Sequence, residues 1–495
     1  MPEVREYAGL HEYDGRVQDL SPSGVTAALA RLGDGPPEPD PHDDAHLRIA
    51  EEGIRTAFGQ LEEHRHNPLV HIANLDLAGY DREYAPAAER DDARRRHLAA
   101  WPDAVDGAVE SLDQVPAPVA RALLGAARGL GADLGSQTAV DGAADQVESA
   151  RNAHARLVDH LAAIGDRGSP EVAIGAEGLA RLMGDADGIP VDLGRLALRA
   201  DAERDRVRSL LEDACSRYRP GARPADLVAE LVRDHPGPTG IEAEARELIG
   251  EATAFVVGQD LLGDPGGECK VGPAPPSRRW AMAMMSWTAP FEADAPAWYY
   301  VNPPDPGWPA DEQAEWLAVF SRTTLPAITV HEVTPGHYAH GRMLRRLDSD
   351  VRRILFSSAF VEGWAHYAEE LCAEEGFRAE DPRFAIGVHV EAMVRITRLA
   401  VAIGIHTGAM TMAEAVHRFE EDGFLQGPAA RSEAERSTFD PTYGRYTWGK
   451  LEIRALRDEA RARWGGRYRH RRFHEALLAL GAPPLGLIGD ALEPG

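Results

Sequence analysis

The stretch Leu325–Leu344, LPAITVHEVTPGHYAHGRML, sets two histidines around a glutamate in a segment that otherwise reads as helix. His331 and His337 stand six residues apart, with Pro335 and Gly336 between them. On an uninterrupted helix such positions lie about 120° apart around the axis and roughly 9 Å along it, too far to share one ion. Pro335 has no N–H to offer the carbonyl of His331, and its ring clashes with that carbonyl, so the helix breaks one turn after His331. Gly336, free of Cβ constraints, lets the chain re-enter a helix with His337 swung back towards His331. The odd spacing and the Pro-Gly insert explain each other, and they put a metal site inside a helical body.

Zinc hydrolases use three protein ligands and keep one open position. The third ligand is sought in Ser357–Phe377, SSAFVEGWAHYAEELCAEEGF. On a helix, Phe360, Trp364, Tyr367 and Leu371 form one apolar face, expected to pack, while Glu362, His366 and Glu369 form another, expected to be free to present carboxylates. Glu362 follows His337 by 25 residues, enough for one helix to end and a neighbour to return beside it. His340 and His366 also stand at ligand spacings from His337 and Glu362, although supporting or surface roles fit them better.

Outward from this site the texture is helical. From about residue 45 to 250 the chain is alanine-rich, with apolar residues recurring at three and four, and turn signals such as GDRGSP and DHPGPTG punctuate it. Residues 265–308 change to Pro, Gly, Met and aromatics, which fits a small β element. Helices then resume, and TMAE at Thr411–Glu414 is a capping box. The expected fold is mainly α, in two lobes around a cleft. Residues 1–44 form an N-terminal segment and linker, 45–250 a helical lobe and 251–495 the metal-site lobe, integrated with the first.

A net charge of -27 with no basic patch argues against nucleic acid. Three scattered cysteines make no disulfide framework, and no window reaches the roughly 18 apolar residues that a membrane span needs. These features predict a cytoplasmic protein with no membrane partner.

The motifs HEVTPGH (331–337) and EGWAHYAE (362–369) resemble those of the bacterial domain-of-unknown-function 885 family, placed among zincin-like metallopeptidases of the glutamate-ligand type. Similarity extends to IGAEGLARLM, WYYVNPP, RLAVAIGIHTG, YTWGKLEIRALR and FHEALLALGAPPLGLI, across most of the chain after about residue 170. The resemblance implies a mostly helical zincin-like fold, His331, His337 and Glu362 as zinc ligands and Glu332 as base. His340 and His366 depart from the family pattern.

Chemically, two neutral imidazoles and a carboxylate leave Zn2+ positive enough to acidify water. Glu332 is next to a ligand but aimed elsewhere, so it can take the water's proton and pass it to a leaving amine. Tyr446, His406 and Arg436 are candidates for stabilising an oxyanion, Tyr446 being favoured by the family pattern. AWYYVNPP, with Tyr300, is either an exposed strand that pairs with a peptide substrate or a core strand with aromatic packing. The expected activity is zinc-dependent hydrolysis of a small peptide or other amide, with one dedicated amide metabolite as a further possibility. A non-catalytic binding protein is disfavoured by the intact base and ligands. An Fe2+ oxygenase could use the same two-His-one-carboxylate set, but has no use for a base beside its ligand.

Overall fold

Helix boundaries fall where local chemistry puts them. Asp40 caps the helix Pro41–Ile54 by accepting from the N–H groups of His42 and Asp43, with proline in the first turn where its missing N–H costs nothing. Thr411 and Glu414 form the reciprocal capping box that TMAE predicts. The computed structural model describes residues 2–131, 134, 144–275, 279 and 282–492, and is 66% helix and 3% strand, a mainly helical fold.

The strands lie within the Pro- and aromatic-rich segment, part of which (276–278, 280 and 281) falls outside the described residues. Strands β1 (Cys269–Gly272), β2 (Ala283–Ser286) and β3 (Ala297–Val301) form a sheet in the order β1-β3-β2. β3 runs parallel to β1, with Lys270 opposite Trp298, and antiparallel to β2, with Met284 opposite Tyr300. β3 is therefore the central strand, with Tyr299 and Val301 fully buried. Of the two readings of AWYYVNPP, the core strand is the one found and the exposed strand for a peptide is not, because both edges of β3 are already paired. Tyr300 is buried and stacked on Trp298, with ring centroids 5.9 Å apart.

One apolar core is built from residues 72–161, around Trp101, Leu123 and Leu157. The largest core runs from Leu179 to Leu492 and so draws on both sides of residue 250. Across that line helix α1 (Leu193–Tyr218) packs on a later helix through Val207 against Met393 and Ile396. The first residues are tied down too. Ala8 accepts from the N–H of Phe291 at 3.0 Å, and Tyr7 packs edge-on against Phe356.

Six further helices frame the site: α2 (Leu325–Glu332), α3 (His337–Leu344), α4 (Ser358–Glu374), α5 (Arg383–His406), α6 (Gly427–Arg436) and α7 (Arg445–Trp464). α4 and α7 meet backbone to backbone. A Cβ on Gly363 would lie 2.5 Å from Gly449, and one on Gly449 would lie 1.9 Å from the carbonyl oxygen of Ala359. The contact sets Glu362, next to Gly363, beside the turn of α7 that carries Tyr446.

The sequence pattern predicts one free face on α4, and this is corrected as well, since His366, Glu369 and Glu370 are all buried. Charged residues on this helix are covered because they are paired. Glu370 receives Lys450 at 3.1 Å and Arg206 at 2.8 Å, and the fully buried Lys450 also reaches Glu203 at 2.7 Å.

Candidate metal centre

The break between α2 and α3 is built as the Pro-Gly insert requires. α2 ends at Glu332, Val333 donates to the carbonyl of Thr329, and the chain turns across a cis Thr334–Pro335 peptide. Gly336 donates to the carbonyl of Val330 at 3.2 Å, so tightly that a Cβ there would sit 1.8 Å from the carbonyl oxygen of His331. No other residue fits this turn. Trp364 of α4 pins it by donating from Nε1 to the carbonyl of Pro335 at 2.9 Å. His337 then opens α3 facing His331.

The two imidazoles stand perpendicular, with ring centroids 4.8 Å apart. Nε2 of His331 lies 3.5 Å, and Nε2 of His337 3.4 Å, from the same oxygen, Oε2 of Glu362. One ligand atom from each of the three residues lies within 4.8 Å of the others. A tetrahedron whose corners stand about 2.1 Å from its centre has edges of about 3.4 Å, so the His–Glu spacings suit a zinc-sized ion. Among the described residues, the buried Oε2 of Glu362 and Nδ1 of His337 have no hydrogen-bond partner. A buried polar atom left unbonded at a functional site calls for an explanation, and for Oε2 an ion supplies one. The donor set fits the metal.

The same groups couple electrostatically. Burial pushes the Glu362 carboxyl up, but His331 and His337 beside it more than reverse this and hold it well below the ordinary carboxylate range. Burial lowers the pKa of His331, and the carboxylates of Glu362 and Glu369 outweigh that and raise it to about 9. Glu369 is the residue the sequence reading left without a role. Its Oε1 lies 2.6 Å from Nδ1 of His331, and its Oε2 accepts from Arg395 at 3.1 Å. It thereby fixes the ring so that Nε2 faces Glu362, the support that metal-ligating histidines ordinarily receive. The signal was present in the sequence, because Glu369 lies two turns from Glu362 on the same side of α4.

Glu332 ends α2 and is half-buried. After burial itself, its charge helps push the Cys269 thiol up to about 12, and it also raises the Tyr299 phenol. Tyr446 lies beside His331, its ring stacked at 6.3 Å from the imidazole. Around Tyr446 stand the guanidinium groups of Arg395, Arg398 and Arg445, at 5.8, 5.3 and 5.7 Å from its ring centroid. Arg436 belongs to the same corner, paired with Asp440 at 3.0 Å and within electrostatic reach of the Tyr446 phenol. Of these arginines the sequence reading singled out only Arg436.

The remaining candidates are buried away from the three-residue cluster. His406 is buried at the end of α5, with Nε2 2.7 Å from the carbonyl oxygen of Ser437. His340 is buried and lies 3.0 Å from the carbonyl oxygen of Gly481, with burial lowering its pKa to about 4. His366 is buried 3.6 Å from Glu369, its pKa lowered to about 3, chiefly by burial. Neither belongs to the three-residue cluster.

Fold and cluster together describe a mainly helical protein with two histidines and a glutamate at metal-ligand spacing. The chain belongs to the family described as "Bacterial protein of unknown function (DUF885)", whose pattern matches residues 2–492. Among solved structures it is similar to a candidate lipoprotein of unknown function from Shewanella oneidensis, with a TM-score of 0.78 and 18% identity over 99% of this chain and 96% of that one. It is also similar to a candidate lipoprotein from Colwellia psychrerythraea, with a TM-score of 0.78 and 16% identity over 99% and 97%. At such identity the likeness establishes the fold. No curated protein matches the chain. Among the described residues, no helix is long and apolar enough to cross a membrane.

Proposed function

We propose that this protein is a zinc-dependent metallohydrolase of the zincin kind that cleaves a peptide or other amide bond. The observation that carries the reading is the convergence of Nε2 of His331 and Nε2 of His337 on one oxygen of Glu362, with His331 oriented from behind by Glu369. These three side chains would hold the ion. Zinc in such a setting supplies Lewis acidity, bringing the pKa of water to about 7 and polarising the amide carbonyl.

The protein's own groups do the rest. Glu332 accepts the proton of the attacking water and returns it to the departing nitrogen, so that an amine rather than an amide anion leaves. Tyr446, beside His331, donates a hydrogen bond from its hydroxyl to the carbonyl oxygen as negative charge gathers there. The arginines around Tyr446 favour that charge. The three cysteines are free, with Cys215 and Cys372 buried, and we place the enzyme in a reducing compartment, the cytoplasm.

The test is metal content and turnover on a peptide library for the wild type and Glu332→Gln. One zinc per chain is expected in both proteins. Loss of the base should lower turnover by roughly 10² to 10⁴. Near-normal turnover in a metal-loaded Glu332→Gln would rule out this mechanism, and iron with oxygen consumption would reassign the site to an oxygenase.

A further inference from the structure

Arg398 spends Nε and Nη2 on the two oxygens of Glu433, at 2.7 and 2.6 Å. Arg436 spends the same two nitrogens on Asp440, at 3.2 and 3.0 Å. Arg445 gives both of its terminal nitrogens to Asp440, at 2.6 and 3.0 Å. Two carboxylates therefore fix three guanidinium groups, and both are held low as acids despite burial, Asp440 at about 2. One nitrogen is left over on each of two arginines. Nη1 of Arg398 and Nη1 of Arg436 have no partner among the described residues, and neither is sealed from solvent.

The second observation is position. Arg398 stands 5.3 Å from the ring of Tyr446, which itself lies beside the ligand His331. Arginines already immobilised by carboxylates lose little freedom when they receive an anion, and guanidinium nitrogens match carboxylate geometry better than any other side chain.

We infer that the substrate is anionic, an amide whose leaving amine carries a free α-carboxylate, received by Arg398 and Arg436 beside Tyr446. The chemistry is shared by the C-terminal residue of a short peptide and by an N-acylamino acid. The inference rests on the hydrolase reading for its turnover arm, but not for its binding arm.

A fixed network of arginines and acids can also be purely structural, and the molecule contains a comparison. Lys450, Arg206 and Arg454 share Glu203 and Glu370 in a separate network, where Lys450 is wholly buried. Arg454→Gln therefore reports what removing a networked arginine does by itself.

The experiment uses zinc-loaded full-length wild type, Arg398→Gln, Arg436→Gln and Arg454→Gln, each checked by thermal melting. The binding arm titrates N-acetylglycine against N-acetylglycinamide calorimetrically. The turnover arm compares N-benzoylglycyl-phenylalanine and N-benzoylphenylalanine, each as free acid and as carboxamide. The wild type and Arg454→Gln are expected to prefer the acid by roughly 10- to 100-fold in affinity and in kcat/KM. Either variant of the proposed pair should bring that ratio towards one, by lowering the values for the acid more than those for the carboxamide. Equal handling of acid and carboxamide by the wild type overturns the inference. So does a preference that survives both Arg398→Gln and Arg436→Gln, because it would then be set by the ion. Preference in binding without turnover of any amide sinks the hydrolase reading and leaves the carboxylate site standing.

Discussion

Glu369 divides its two oxygens between a candidate ligand and a cation, one towards His331 and one towards Arg395. The arrangement makes it a positioning residue, since it holds the ring without belonging to the three-residue cluster. Glu369→Ala should therefore weaken zinc binding by roughly 10- to 100-fold while leaving the ligand set complete, which competition with a chelator would measure. Unchanged affinity would show that the ring is held by packing alone. At this scale the three candidate ligands were legible, and so was the side of α4 that carries Glu369, but not the histidine it meets. His331, His337 and Glu362 announce themselves through the Pro-Gly insert and the 25-residue return. The partner of Glu369 is a histidine 38 residues away, and sequence carries no mark of that distance. The arginines around Tyr446 were hidden differently, in a chain where almost every basic residue is arginine.

Among the elements, the α4–α7 crossing fixes the width of the site. Because Gly449 lies against the carbonyl of Ala359, Gly449→Ala must push the two helices apart or bend one of them. The cost expected for overpacking is about 1–3 kcal/mol, read as a lowered denaturation midpoint. Zinc affinity should fall with it, because Glu362 and Tyr446 sit on either side of the contact. A variant that keeps both stability and affinity would show that the crossing is not what spaces them. The helices themselves were readable from period and caps, as at Thr411. The burial of α4 was not, because paired charges such as Glu370 with Lys450 look in sequence like a solvated face. The strand character of AWYYVNPP was legible from its alternation and aromatic residues, whereas its place between β1 and β2 depends on pairing across loops.

For the molecule as a whole, the N-terminal segment is held to the sheet region by charge. His11 lies 3.1 Å from Asp14 and 3.0 Å from Glu292, and Glu292 is also gripped by Arg82 at 2.6 Å. Burial lowers the pKa of His11, yet hydrogen bonds and attraction from Asp14 and Glu292 raise it to about 9, against 6.5 when unfolded. A pKa raised by folding stabilises fully below about 6.5, and the contribution is lost as pH rises through about 9. Chemical denaturation at pH 6 and pH 9.5 should show a loss of about 1–2 kcal/mol, allowing for partial exposure, which His11→Gln removes. An identical pH dependence in the variant would assign the loss elsewhere. The sequence marks residues 1–44 as an N-terminal segment and linker, but not this attachment, which joins residues 281 apart. Damage from an enlarged core residue can usually be repaired by shrinking its neighbour, but Gly363 and the carbonyl of Ala359 leave nothing to shrink. Selection for second-site revertants of Gly449→Ala should therefore return glycine at position 449 itself, not a compensating change across the crossing.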